Sequence, residues 1–231
     1  MRYSGFAISL FFIQIALAQK PFDQARSFLD KADYTSCTRI LDSCHAAKYH
    51  SDSVLFYLGL VKFKTDNIEA GQRYIALLNK EYPDFYEVHY LKGLLYFSKK
   101  NYAKSADEFT RVIEKDPRNV KAYFNRSVAL GQLEEFLDAI SDLGECIKLE
   151  PSNPQNYYSR AYWYEYTGNY PEAAKDYQFA IGLDPRNYDA YMGLAYVYKN
   201  LKDDSKACEV INKAISAGSQ IADEVKINFC R

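Results

Sequence analysis

The sequence predicts an all-α solenoid of about six stacked helix-turn-helix units, closed by a short C-terminal helix. Three observations predict it. Pro83, Pro117, Pro151 and Pro185 stand 34 residues apart each time, and self-similarity at a period of ~20–50 residues marks stacked repeats. With those prolines set at repeat position 32, six windows start at Ala18, Asp52, Tyr86, Val120, Pro154 and Tyr188 without an insertion, and two columns hold small residues throughout. The third observation is compositional: 48% of the 231 residues are hydrophobic, 26% are charged, and 22 Tyr and 14 Phe accompany a single Trp. That is enough apolar mass for a continuous core, and a disordered chain is excluded.

Residues 1–18 read as a secretory signal peptide. Arg2 supplies the basic start, Phe6 to Leu17 the apolar run, and Ala16-Leu17-Ala18 the small-residue end. Cleavage is expected after Ala18. The run is shorter than the ~20 residues a bilayer span requires and is interrupted by Gln14, so no stable membrane span is expected once the leader is removed. The formal net charge is -1, and without a basic excess nucleic acid is not an expected partner. A periplasmic or secreted location follows as an expectation.

The repeats fall near 19–51, 52–85, 86–119, 120–153, 154–187 and 188–221. Position 8 holds Ala25, Gly59, Gly93, Ser127, Ala161 and Ala195; position 20 holds Cys37, Gly71, Ser105, Ala139, Ala173 and Ala207. Two helices approach to ~8–10 Å only where the side chains between them are small, so these columns are the expected crossing points within each pair. Position 24 (Leu41, Ile75, Phe109, Leu143, Tyr177, Ile211) lies one turn beyond position 20 and supplies an apolar face. Position 17 adds Tyr34, Ile68, Tyr102, Phe136 and Tyr170, with Asp204 as the departure. Each proline ends a unit because it cannot continue a helix. Tyr49 and Ser219 replace it in the first and last windows, as expected of terminal repeats whose outer faces meet water. Residues 222–231 place Val225 and Phe229 at i, i+4 and predict a short closing helix.

These offsets resemble the tetratricopeptide repeat family. In 154–187, Tyr157, Ala161, Tyr164, Gly168, Tyr170, Ala173, Tyr177, Ala180 and Pro185 stand where the family signature places an aromatic, small residues, a second aromatic and the terminal proline. The likeness covers about 19–221 and implies a right-handed superhelical solenoid that binds a protein or peptide along the first helices of successive repeats. The family's contact positions correspond here to Phe56, Tyr57, Phe63, Tyr90, Phe97, Phe124, Asn125, Tyr158, Tyr162, Tyr166 and Tyr196, an aromatic groove. A small ligand or glycan stacking on the Tyr faces is the alternative occupant. Family members that hold a C-terminal carboxylate use a Lys, Arg and Asn clamp. Asn125 could supply the middle Asn, but its neighbours Tyr90, Leu94, Gln155 and Ser159 lack the basic partners.

No motif for catalysis, a metal or a cofactor emerges. His45, His50 and His89 have no metal-ligand spacing to Cys or Glu, and Glu134-Glu135 and Asp203-Asp204 fall at turns, where carboxylates cap helices. Cys37, Cys44 and Cys146 occupy small-residue positions and are expected to be buried thiols. Cys37 and Cys44 stand two turns apart on one helix, ~10 Å, too far to bridge. Cys208 and Cys230, in the last repeat and the closing segment, are the expected disulfide of an exported chain. Lys92, Arg126 and Arg160 recur at position 7, each followed sixteen residues on by Glu108, Asp142 or Asp176. Ion pairs within each repeat are expected rather than a basic track for an acidic partner.

Overall fold

The computed structural model describes residues 21–47, 51–220, 226 and 230. The leader at 1–18 lies outside them, as do Val225 and Phe229 of the expected closing helix, of which only Lys226 and Cys230 are described. Among the described residues there are twelve paired helices and no strand: α1 (21–30), α2 (Tyr34–Ala46), α3 (Ser51–Lys64), α4 (Ile68–Glu81), α5 (Val88–Ser98), α6 (Tyr102–Lys115), α7 (Val120–Gln132), α8 (Phe136–Leu149), α9 (Pro154–Tyr166), α10 (Tyr170–Leu183), α11 (Tyr188–Asn200) and α12 (Asp204–Ser216). The chain is an all-α solenoid of helical repeats. It divides into two compact units, Met1–Lys115 and Asp116–Arg231.

Helix ends follow local rules. The helices before Pro83, Pro117, Pro151 and Pro185 stop two residues short of the ring, because proline disfavours the α conformation in the residue before it. Asn119, Asn153 and Asn187, two residues after their prolines, cap α7, α9 and α11 by accepting from the amides of Ala122, Gln155 and Ala190 at 3.0–3.1 Å. Such caps contribute ~1 kcal/mol each.

Within each pair the turn is the same. Ala32, Asp66, Lys100, Glu134, Gly168 and Lys202 all have φ between 56° and 76°. The amide of the next residue reaches back to close the first helix: Asp33 to Phe28 O, Asn67 to Lys62 O, Asn101 to Tyr96 O, Glu135 to Leu130 O, Asn169 to Tyr164 O and Asp203 to Tyr198 O, at 2.8–3.0 Å. This left-handed closure satisfies orphan carbonyls and reverses the chain. Only one of the six is glycine, so the turn carries no composition signal.

The unit 1 core is built on Ala25, Cys37, Leu41, Cys44, Val54, Leu58 and Val61, with Phe109 and Val112 buried further along. In unit 2, Ala161, Ala173, Tyr177, Leu194, Ala195, Val197 and Ile211 form one cluster, and Ala139, Leu143 and Trp163 another. The two small-residue columns meet: Ser105 Oγ donates to Gly93 O at 2.9 Å where α6 crosses α5. A Cβ on Gly93 would stand 2.6 Å from the Phe109 ring, and one on Gly71 2.7 Å from Phe63.

Cys208 and Cys230 are joined in a disulfide across 22 residues of sequence, with Cα atoms 4.7 Å apart. Cys37, Cys44 and Cys146 are free and buried. Burial pushes the Cys37 thiol up to about 11 and the Cys146 thiol to about 12, so neither supplies a reactive thiolate at neutral pH.

Gly93→Ala should cost about 2 kcal/mol of unfolding free energy by overpacking. Gly182→Ala, whose Cβ meets nothing within 4 Å, should be neutral or stabilising, and urea denaturation of the two variants compares them. Cys230→Ser should lose about 3 kcal/mol, the loop-closure contribution of a bridge of this length. The denatured, unreduced protein should show three titratable thiols, and a count of five would exclude the bridge.

Candidate functional site

The expected ion-pair ladder is present on two rungs. Arg126 Nε and Nη2 donate to Asp142 Oδ2 and Oδ1 at 2.8 and 2.6 Å. Arg160 Nε and Nη2 donate to Asp176 at 2.6 and 2.9 Å. Both carboxylates are buried, and burial pushes the Asp142 carboxyl up against the opposing pull of Arg126. Each guanidinium also rests over a ring on its own helix, Arg126 over Tyr123 at 5.6 Å and Arg160 over Tyr164 at 5.8 Å. The first rung differs from expectation. Glu108 is held by His89 Nδ1 at 2.6 Å, and Lys92 makes no ion pair among the described residues. His89 lies one turn before Lys92 on α5, close enough for its shorter, stiffer ring to take the carboxylate.

The aromatic residues expected to line a groove divide by burial. In unit 1, Tyr90 is only 8% exposed and packs on Phe56 and Phe109 with ring centroids 6.2 and 5.5 Å away, so it belongs to the core. Half-buried Phe56, Tyr57 and Phe97 make edge contacts with Phe85, Phe22 and Tyr102 respectively. Phe63 is also half-buried and lies against Gly71. Among the described residues, the predicted groove aromatics of unit 1 are thus spent on packing.

Unit 2 presents rings to solvent. Tyr162 and Tyr166 on α9 are 45% and 63% exposed, and Tyr196 on α11, at the same repeat position as Tyr162, is 60% exposed. Phe124, Asn125 and Tyr158 are half-buried. Asn125 Nδ2 donates to Lys121 O at 2.7 Å. Tyr158 lies against the buried Tyr177 ring at 5.8 Å.

The exposed rings have a rigid floor. Trp163 is buried against Phe136, with centroids 5.6 Å apart, and a Cβ on Gly131 would overlap its indole. Tyr162 stands edge-on to Trp163 at 4.9 Å, and Tyr166 tilts against Phe136 at 4.8 Å. Sequence reasoning missed Trp163 and Phe136 as supports, although a lone Trp one residue after Tyr162 and three before Tyr166 was a visible signal. It also missed Glu165, whose Oε2 accepts from the buried Tyr177 hydroxyl at 2.7 Å. Burial raises the Glu165 carboxyl above its ordinary range, and the Tyr177 hydrogen bond opposes the shift.

Two surface clefts, one along Tyr34, Arg39 and Lys62 and one along Tyr191, Tyr198 and Lys213, contain none of the predicted groove residues. Among the described residues no group of three His, Cys, Asp or Glu side chains could hold a metal, and no helix is long and apolar enough to cross a membrane.

Models of the tetratricopeptide repeat match residues 86–119, 120–153 and 158–220. The chain belongs to the tetratricopeptide repeat family. Among solved structures, this tetratricopeptide protein is similar to MamA (TM-score 0.64, 19% identity, 77% of this chain and 94% of that one). It is similar also to a thermophilic tetratricopeptide repeat protein of Thermus thermophilus (0.66, 15%, 78% and 98%). A third likeness is to a tetratricopeptide repeat protein of Parabacteroides merdae (0.60, 16%, 87% and 80%). At these identities the likeness is one of fold. No curated protein matches the sequence. A tetratricopeptide array is a scaffold for protein interaction, its repeats exposing helix faces that stacking does not consume.

Arg160→Met should cost about 3 kcal/mol, because Asp176 is left buried and unpaired. Arg160→Met/Asp176→Leu should recover at least about half of that loss. Arg160→Met as stable as the parent in urea denaturation would show that the pair does not hold α9 to α10.

Proposed function

We propose that this protein is an exported tetratricopeptide adaptor that binds an extended or helical segment of a partner protein on the tyrosine face of α9 and α11. The observation that carries the reading is the solvent exposure of Tyr162, Tyr166 and Tyr196 on first helices of successive repeats, two of them buttressed by Trp163 and Phe136. Tyr combines large contact area with few rotatable bonds, and rings already held by neighbours lose little further freedom on binding. Asn125 and Gln155, on the first helices of their repeats, supply polar groups for a partner backbone.

Support for export comes from the leader pattern at 1–18 and from the Cys208–Cys230 bridge, a bond that persists in oxidising compartments. The periplasm or the cell exterior, with a role in envelope assembly, is the setting this favours.

A photoreactive amino acid at position 162, introduced in cells, should crosslink to a protein. The triple variant Tyr162→Ala/Tyr166→Ala/Tyr196→Ala should abolish co-purification of that protein while leaving the melting temperature within a few degrees, since exposed positions contribute little to stability. Exported chain should begin at Gln19. Retention on a glycan array, lost in the same variant, would replace the protein partner with a sugar.

A further inference from the structure

On α9, Tyr158, Tyr162 and Glu165 follow one another at i, i+4 and i+7 and share a face. Glu165 Oε2 is engaged by Tyr177, and among the described residues its other oxygen has no hydrogen-bond partner. Among the described residues no Lys, Arg or His comes within ion-pair distance of this carboxylate, and no buried polar atom lacks a hydrogen bond. The second oxygen is therefore not sealed from solvent. Asp189, exposed in the first turn of α11, adds a second negative charge on the Tyr158 side. Basic groups of α9 and the packed helices are committed elsewhere: Arg160 to Asp176, Lys148 to Glu145, Lys175 to Glu172, and Lys199 to Asp204.

The same unit shows what such an arrangement binds. Arg126 and Arg160 each place a guanidinium against a buried carboxylate and over a tyrosine ring. Glu165 with Tyr158 and Tyr162 repeats the carboxylate and the rings and lacks the arginine. A half-buried carboxylate is poorly solvated, so a cation that reaches it gains more than it would at an open surface. Guanidinium is the best fit, because it donates in plane to a carboxylate while its face lies on an aromatic ring.

We propose that Glu165, Tyr158 and Tyr162 form a pocket for an arginine side chain of the partner segment, with Glu165 accepting the guanidinium and the two rings flanking it. The pocket rests on the docking face proposed above and assigns its chemistry: an apolar segment carrying a basic residue.

The test uses two fluorescent heptapeptides, leucine-rich and identical except for a central arginine or its neutral isostere citrulline, titrated into the full mature protein by fluorescence anisotropy. The arginine peptide should bind about tenfold more tightly, a ratio that corresponds to ~1.4 kcal/mol, and the advantage should shrink with added salt. Glu165→Gln keeps an acceptor for Tyr177 and should melt like the parent, but it should bind both peptides alike. Tyr196→Ala, outside the pocket, should weaken both equally. Equal affinity of the parent for the two peptides, binding of neither, or an arginine preference that survives in Glu165→Gln would overturn the pocket. Equal affinities that both fall in Tyr196→Ala would leave the tyrosine face standing, and crosslinking from position 162 decides that face independently.

Discussion

Where α6 crosses α5, the Ser105 hydroxyl reaches the carbonyl of Gly93, and the ring of Phe109 fills the space a Cβ would need. A side chain can bond a carbonyl already used in a neighbouring helix only when the two backbones come within the distance that small residues permit. The rest of the fold depends on this closeness. Large side chains, Phe109 or Tyr177, are driven beside the crossing and become the contact with neighbouring helices. Tyr177 shows the consequence: its ring occupies the space next to Gly193 on α11, while its hydroxyl returns to Glu165 on α9.

Charge follows from the same geometry. A buried carboxylate is costly unless it is paired, and Asp142 and Asp176 each take a full bidentate partner in Arg126 and Arg160 inside the repeat. These arginines hold neighbouring helices together, and they are unavailable to an acidic ligand. Glu165 is the counterexample, half-buried and satisfied on one oxygen by a neutral hydroxyl. Its position beside the exposed tyrosines of α9 places charge and aromatic area on one surface.

The two units use aromatic residues differently. In unit 1, Phe56, Tyr90 and Phe109 touch one another in series and close the core. In unit 2, Trp163 and Phe136 form the floor, and Tyr162 and Tyr166 stand on it in water. Equivalent repeat positions therefore do not share a fate: Tyr90 and Tyr158 have the same repeat position, yet one is core and the other lies at a rim. Burial depends on what the next helix presents opposite the ring, which a single repeat's sequence does not contain.

The sequence alone determined the period, the pairing of helices, the small-residue crossings and two of the three ion pairs, because each is encoded by spacing along the chain: 34 residues between prolines, sixteen between Arg and Asp. It did not reveal the left-handed residue at Ala32, Asp66, Lys100, Glu134 and Lys202, since the closure of the turn imposes that conformation whatever the side chain. Nor did it show that His89 would take Glu108 from Lys92, a contest decided by reach across two helices. Which tyrosines face water, which are core, and that among the described residues no cation pairs with Glu165 beside the exposed ones were decided by tertiary structure alone. Exposure belongs to a pair of packed surfaces, and only the folded chain brings both surfaces together.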